Sequence, residues 1–513
     1  MRKASSVKRL ASTMKVILAG FNVDTEALKS YKDKNTNLTP ESISAAYARI
    51  SRSPKSVDIL RKEAREEVAK ARKSNRTIIF EMGHHSVAEH AIFNFDIIGI
   101  SRRAVEELEK FRLCSYTEKS QRYVTLKGDY IIPKELKDKN LCNEFKKMIK
   151  IQNDFYKHLY DRIKKYNFKK FPKLTKDKKG QTLLKNLAKE DARYILSLAT
   201  QAQLGTTINA RNLELMIRRF ASHPLNEINE LGKKLFNLVK KIAPSIILFY
   251  EANDYDMKTY LELKKYAKKF GVSPPSLSSP LEGEEIGKGD VRLIDYTRDG
   301  DNKILAALLF KASDKEYSKC LKIIKGMSKK KKLELFKKTL QHMELYDVAL
   351  REFEYANLTY SLFVSAACFG QLKRHRIATI TYQDYNPKLG FTIPDSIKQV
   401  GEEKTFTEII KKTERIYEEI EKKFPGLGTY ILANAHRKRV LLNVNLRELY
   451  HLSRLREDAT AQWDIRDKAQ KLSSLAKKAM PITTKLLGGK DKYPKIYFKI
   501  YNKKPKITET PVP

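Results

Sequence analysis

Two arginine-centred segments hold the side chains best suited to chemistry in this chain of 513 residues. The first is Lys110-Phe111-Arg112-Leu113-Cys114-Ser115-Tyr116-Thr117-Glu118-Lys119-Ser120-Gln121-Arg122-Tyr123, and the second is Arg374-His375-Arg376-Ile377-Ala378-Thr379. A guanidinium offers several N–H donors in a fixed plane and matches an oxyanion in a bidentate way, so both segments read as phosphate-binding. Each follows an apolar, strand-length stretch and a short helical one, which places the arginines at a helix end and in the loop after it. Cys114 lies inside the first segment, but no base is indicated beside it, and it reads as a packed thiol.

The two segments belong to a repeat, which spacing reveals. Glu89 precedes Arg112 by 23 residues and Glu354 precedes Arg376 by 22. Asn209-Ala210-Arg211 lies 8 residues before Arg219, and Asn445-Leu446-Arg447 lies 9 before Arg456. Each copy then runs 8 residues to an acid-Ile pair, Glu227-Ile228 and Asp464-Ile465. Three spacings that agree in the same order favour duplication over two unrelated helical domains that share basic patches.

The first copy ends in Glu118-x-Ser120-x-Arg122-Tyr123 and the second opens with Arg374-His375-Arg376. Together these resemble the signature of the flavin-dependent thymidylate synthases, R-H-R-x-x-S-x-N-E-x-S-x-R-Y. Gly83-His84-His85-Ser86-Val87-Ala88-Glu89-His90 is similar to the family's H-x-S-x-x-E-H element, and Ala461-Gln462-Trp463-Asp464-Ile465-Arg466 to its A-Q-W-E-I-R. The resemblance implies that Glu118, Ser120, Arg122 and Arg193 of the first copy, and Gln371, Arg374 and Arg456 of the second, hold deoxyuridine monophosphate (dUMP). It assigns FAD to His84, Ser86, Glu89, Arg112, Asn209, Arg211, His375, Arg376, Asn445 and Arg447. Arg456, with Arg219, is expected to be catalytic by polarising the pyrimidine. NADPH and methylenetetrahydrofolate are the implied cosubstrates.

Each copy departs from the pattern where the other keeps it. In the first, Glu107, Lys110, Phe111 and Thr117 replace glutamine, Arg-His and asparagine; in the second, Tyr382, Asp384 and Asn386 replace glutamate, serine and arginine, with Ala349 and Thr429 opposite His84 and Arg193. Random decay would remove residues from both sets in both copies. One complete set survives in each, so the expectation is an active enzyme with composite sites drawn from both repeats. The family's tetramer would then be mimicked by a homodimer of the fused chain. A catalytically inactive flavin- or nucleotide-binding homologue and a basic RNA-binding protein on the same fold are the alternatives.

The elements that position these residues read as α+β: two tandem copies of one domain, each with a mixed sheet and long helices. The expected first domain covers residues 14–270 and the second 290–513, joined by a Pro/Ser-rich linker at 271–289. Residues 1–13 read as a basic extension, either a transit peptide or the product of a start codon placed too far upstream, ahead of a strand at Met14-Lys15-Val16-Ile17-Leu18-Ala19-Gly20. Strands are expected over 91–100, 291–296 and 355–364, with helices over 183–198, 226–243 and 406–424. Residues around 135–180 and 240–290 match no pattern.

Composition narrows the class further. A 41% apolar content suits a globular protein, and no apolar run reaches the ~20 residues that span a bilayer. Four scattered cysteines without a Cys-x-x-Cys pair suit a reducing, cytoplasmic setting with neither structural zinc nor disulfides. No metal is expected, since the five-residue gap between His84 and His90 is not a usual zinc spacing. The net charge of +41 is spread along helix faces. That field draws in anionic nucleotides and folates, while nucleic acid remains a less favoured partner because no motif of recognised spacing appears.

Overall fold

The computed structural model describes residues 14–29, 38–126, 128–270 and 289–508. The expected extension at 1–13 and nearly all of the expected linker lie outside the described residues. The chain divides into two compact units, the first formed by residues 1–276 and 394–433, the second by 277–393 and 434–513. Residues 394–433, which a division at the linker assigns to the second repeat, therefore belong with the first unit.

The first unit is built on β1 (Lys15–Phe21), β2 (Ile92–Ser101), β3 (Cys114–Glu118) and β4 (Gln201–Asn209), in the order β1-β2-β4-β3. The second repeats this with β5 (Val291–Tyr296), β6 (Asn357–Ser365), β7 (Thr379–Tyr382) and β8 (Arg437–Asn445), in the order β5-β6-β8-β7. The α+β class and the tandem repeat hold. Every described pairing between these strands is antiparallel, so the sheets are antiparallel where mixed ones were expected. The long helical excursion before each fourth strand returns the chain to run against its neighbours.

Alternation explains which face each sheet buries. Along β2, Phe93, Phe95 and Ile97 are buried while Ile92, Asn94 and Asp96 are exposed. In β6, Leu358, Tyr360, Leu362 and Val364 point into a core shared with Val440, Leu442, Val444, Leu449 and Leu472. Each such side chain is worth about 1.5–3 kcal/mol when removed from water. The Tyr360 hydroxyl meets its need by donating to the Leu472 carbonyl at 3.1 Å.

The spacing landmarks are the joints of the fold. Ser101 and Ser365 end β2 and β6 and cap the short helices Arg102–Leu108 and Ala366–Leu372, accepting from Ala104 N and Cys368 N. Each serine also engages the downstream acid of its own unit: the Ser101 hydroxyl donates to Glu227 at 2.7 Å, and that of Ser365 to Asp464 at 2.5 Å. Asn209 and Asn445 cap the next helices, Ala210–Ala221 and Leu446–Arg456. Arg211 pairs with Glu89, and Arg447 with Glu354. Residues recognised by their order in the sequence thus make the same bonds twice.

A 32-residue helix, Lys139–Lys170, occupies the stretch where no pattern was read. Its buried positions Leu141, Phe145, Met148, Gln152, Tyr156, Leu159 and Ile163 fall three or four apart, a helical stripe diluted by lysines. Gln152 donates to Thr413 on the Glu403–Lys423 helix and to the Ile431 carbonyl. Leu198 N and Ala199 N donate to the Leu432 and Tyr430 carbonyls, both at 2.8 Å. These bonds are what hold residues 394–433 in the first unit.

Candidate functional site

In the second unit the arginine segment follows the Ala366–Leu372 helix, and its residues alternate in exposure. Arg374 and Arg376 are exposed while His375 between them is 3% exposed. Asn445 accepts from Glu448 N at 2.8 Å and so fixes the first turn of the Leu446–Arg456 helix. The Glu448 carboxylate lies 3.2 Å from His375 Nδ1, and Arg456 Nε donates to His375 Nε2 at 3.0 Å. Because Nε2 accepts, the proton sits on Nδ1 and is donated to Glu448. Arg456 Nη2 also reaches the Gln371 carbonyl at 3.4 Å, and the Gln371 side chain meets Gln462 at 3.3 Å. Asn445, Glu448 and His375 therefore form a line of bonds that ends on the Arg456 guanidinium. Glu448 was not anticipated from the sequence; its position on the first turn after the Asn445 cap is the signal that marks it.

Burial lowers the His375 pKa below its ordinary value of 6.5, and Arg456 acts in the same direction against the opposing pull of Glu448. The ring is neutral in the folded protein. Unfolding releases it to protonate, so its contribution is complete above about pH 6.5 and is lost as pH falls below that value. Wild-type protein is thus expected to lose thermal stability from pH 7.5 to 5.5 more steeply than His375→Gln; parallel curves would contradict this.

His375, Glu448 and His451 also place three ligand atoms within 4.8 Å of one another, the grouping among the described residues that could hold a metal. The tautomer argues against that use, since a metal on Nδ1 would displace the proton given to Glu448 while Arg456 faces the other nitrogen. His84 and His90 form no such group among the described residues.

In the first unit Glu118 is ion-paired with Arg102, and Arg122 with Glu190. Ser120 Oγ accepts from Arg122 N at 3.1 Å. Arg193 is buried, with Nε donating to the Glu190 carbonyl at 3.2 Å, and burial lowers its pKa. Glu118, Ser120, Arg122 and Arg193 thus come together with Arg102 and Glu190 in one cationic cluster, and the last two were not foreseen. His84 is exposed beside Arg52, with 3.1 Å between Nε2 and Nη2, directly after Gly83, whose φ of +76° requires glycine. Ser86 is exposed and Glu89 is engaged with Arg211.

The remaining first-copy candidates stand differently from their second-copy partners. Phe111 packs edge-on against Phe220 at 5.7 Å, where the second unit has the His375 ring. Arg219 is exposed and lies 3.8 Å from Asp256, while Arg218 pairs with the same carboxylate at 2.9 Å. Arg112 is exposed. Among the described residues the contact made by Arg219 is with Asp256, whereas Arg456 is backed by His375 and Glu448.

Comparison with known proteins identifies the family. The family model described as "Thymidylate synthase complementing protein" matches residues 35–245 and again 292–482, well over half of the chain. The chain belongs to that family, with one match for each repeat. It is 32% identical over 216 residues to a flavin-dependent thymidylate synthase of Clostridium tetani, covering 41% of this chain and 82% of the relative. A UPF0159 protein of Chlamydia muridarum is 27% identical over 410 residues, 76% of this chain and 75% of its own length. The crystal structure of Thymidylate Synthase X from Helicobacter pylori with FAD and dUMP matches 48% of this chain and 99% of its own at 19% identity, with a TM-score of 0.28. Among the described residues no helix is long and apolar enough to cross a membrane.

Proposed function

We propose that the protein is an FAD-dependent thymidylate synthase that converts dUMP to dTMP with methylenetetrahydrofolate as carbon donor and NADPH as reductant. The observation that carries this reading is the complementary survival of the two motif halves, each embedded in side chains that hold it in place. Glu118, Ser120, Arg122 and Arg193 are one contribution to nucleotide binding, and Gln371, Arg374 and Arg456 are the other. Both contributions are required, and a homodimer of the fused chain is the assembly that goes with this reading.

The donor set suits a flavin dinucleotide. Exposed Arg376 and the Arg52–His84 pair present cationic and imidazole donors appropriate to a diphosphate, while Arg211 and Arg447 are ion-paired with Glu89 and Glu354. When bound, the flavin supplies the hydride chemistry of the reaction. The protein orients and stabilises charge. Arg456, aimed by His375, places a fixed positive group where the pyrimidine carbonyl gains negative charge, an arrangement that commonly contributes ~10²–10³ in rate. His375, buried and neutral, acts as a positioning residue that keeps the guanidinium in one orientation.

The test is growth of a thymidine auxotroph on the cloned gene, paired with dTMP formation in vitro from dUMP, methylenetetrahydrofolate and NADPH. Growth without thymidine and flavin-dependent product are expected. A soluble protein that retains FAD yet supports neither would favour the inactive binding homologue. Tight, salt-sensitive binding of RNA without FAD would favour the RNA-binding reading.

A further inference from the structure

Each unit places a charged side chain of its own where its motif has departed from the pattern. In the first unit this is Glu107, at the position whose counterpart is Gln371. Its carboxylate is buried, with 5% of the side chain exposed, and is surrounded by the cations Arg103, at 2.5 Å, and Lys110 and by the His223 ring at 3.5 Å. Lys110 is itself the counterpart of Arg374, so the cation of the altered segment is turned onto an internal anion. A carboxylate opposing three cationic or protonatable groups is how a protein holds a bound oxyanion, with the anion here covalently attached.

In the second unit the corresponding feature is Lys438. It stands on β8 at the position of Ala202 on β4, counting back from Asn445 and Asn209. Its ammonium lies 4.2 Å from the centroid of Phe369, 4.4 Å from Tyr382 and 3.8 Å from Tyr385, and the residue is 2% exposed. Tyr382 is the residue that replaces glutamate. In the first unit the equivalent strand position, Glu118, pairs with Arg102. In the second, Ala366 takes the place of Arg102, and the cation comes from the neighbouring strand and is held by ring faces.

We infer that Glu107 is a built-in substitute for an anionic ligand that keeps the altered arginine segment of the first unit closed, while Lys438, packed against Phe369, Tyr382 and Tyr385, fills the altered strand of the second unit. Resting on the nucleotide reading above, this limits the chain to one dUMP where duplication alone would provide two. Loss of function in the altered halves is then not passive erosion. Each half has been refilled with charge and packing that exclude the ligand.

The deciding experiment is a titration of Glu107→Ser with inorganic phosphate, followed by thermal unfolding. With the carboxylate gone and Arg103, Lys110 and His223 left, phosphate should bind about tenfold or more tightly than to wild type and raise the melting temperature in proportion. Equal phosphate response in the two proteins would overturn the inference. Should Glu107→Ser fail to fold, Glu107→Gln keeps the shape and removes the charge, and the same comparison decides. Equilibrium dialysis with dUMP separates this from the nucleotide reading: one bound per wild-type chain supports the closure and two overturn it. No binding at all refutes the nucleotide reading, and the phosphate titration still judges Glu107.

Discussion

Arg374→Ala is expected to lose most dUMP binding. Its side chain is exposed at the end of the Ala366–Leu372 helix. A charge-assisted contact to phosphate is worth roughly 1.5–3 kcal/mol, a loss of about tenfold to hundredfold in affinity. Arg122→Ala should weaken binding to a similar degree and carry a second cost. Arg122 is ion-paired with Glu190, whose side chain is only 5% exposed, and removing the guanidinium leaves that carboxylate without this partner. A lower melting temperature is therefore expected for Arg122→Ala. In calorimetric titrations the double variant should cost less than the sum of the singles, because groups that hold one ligand couple. Normal dUMP binding by either single variant would show that the two motif halves do not serve the same nucleotide.

The repeat was legible because its landmarks are structural joints as well as motif residues. Ser101 and Ser365 cap helices and engage Glu227 and Asp464, and Asn209 and Asn445 cap the next pair, so their spacing is fixed by the geometry of one strand-helix unit. The candidate site was readable only as a proposed set of residue types. Its wiring was not, because Glu448 and Glu190 belong to no motif and become partners only when the helices carrying them fold back onto the arginine segments. Asn445 shows the same limit from the other side: expected at the flavin, it is seen capping the helix that carries Glu448.

Glu107 illustrates how a residue read correctly in isolation can mean something else in place. A carboxylate at that position suggests repulsion of a phosphate. In the structure burial opposes its ionisation, yet Arg103, His223 and Lys110 hold its pKa well below the carboxylate range. The charge is therefore retained and neutralised. Of the eight strands, β1, β2, β5 and β6 were expected from strand-length apolar runs, while β3, β4, β7 and β8 and the assignment of residues 394–433 to the first unit were not. That assignment depends on Gln152, Tyr430 and backbone bonds to Leu198 and Ala199, which link residues more than 200 positions apart and leave no periodic trace.

The Glu227 carboxylate offers the sharpest test of that assignment. It accepts from Ser101 N and Ser101 Oγ at 2.7 Å each and from the Tyr430 hydroxyl at 2.7 Å, so it ties β2 to residues 394–433 inside the first unit. Burial raises its pKa, and those donors oppose the shift. Glu227→Ala strips three buried donors of their acceptor, and a loss of about 3–5 kcal/mol is expected. Tyr430→Phe removes one donor and leaves the carboxylate two, so about 1 kcal/mol is expected. Asp464→Ala is the counterpart in the second unit, where Ser365 and Lys468 are the partners. The chain has a single tryptophan, Trp463, next to Asp464 in that unit. Its fluorescence reports unfolding of the second unit, while circular dichroism reports both. Asp464→Ala should move the fluorescence transition to lower denaturant, and Glu227→Ala should move the dichroism transition further than the fluorescence one. If Tyr430→Phe leaves stability unchanged while Glu227→Ala costs its full amount, the Tyr430 bond contributes nothing, and residues 394–433 are held to the first unit by packing and backbone pairing alone.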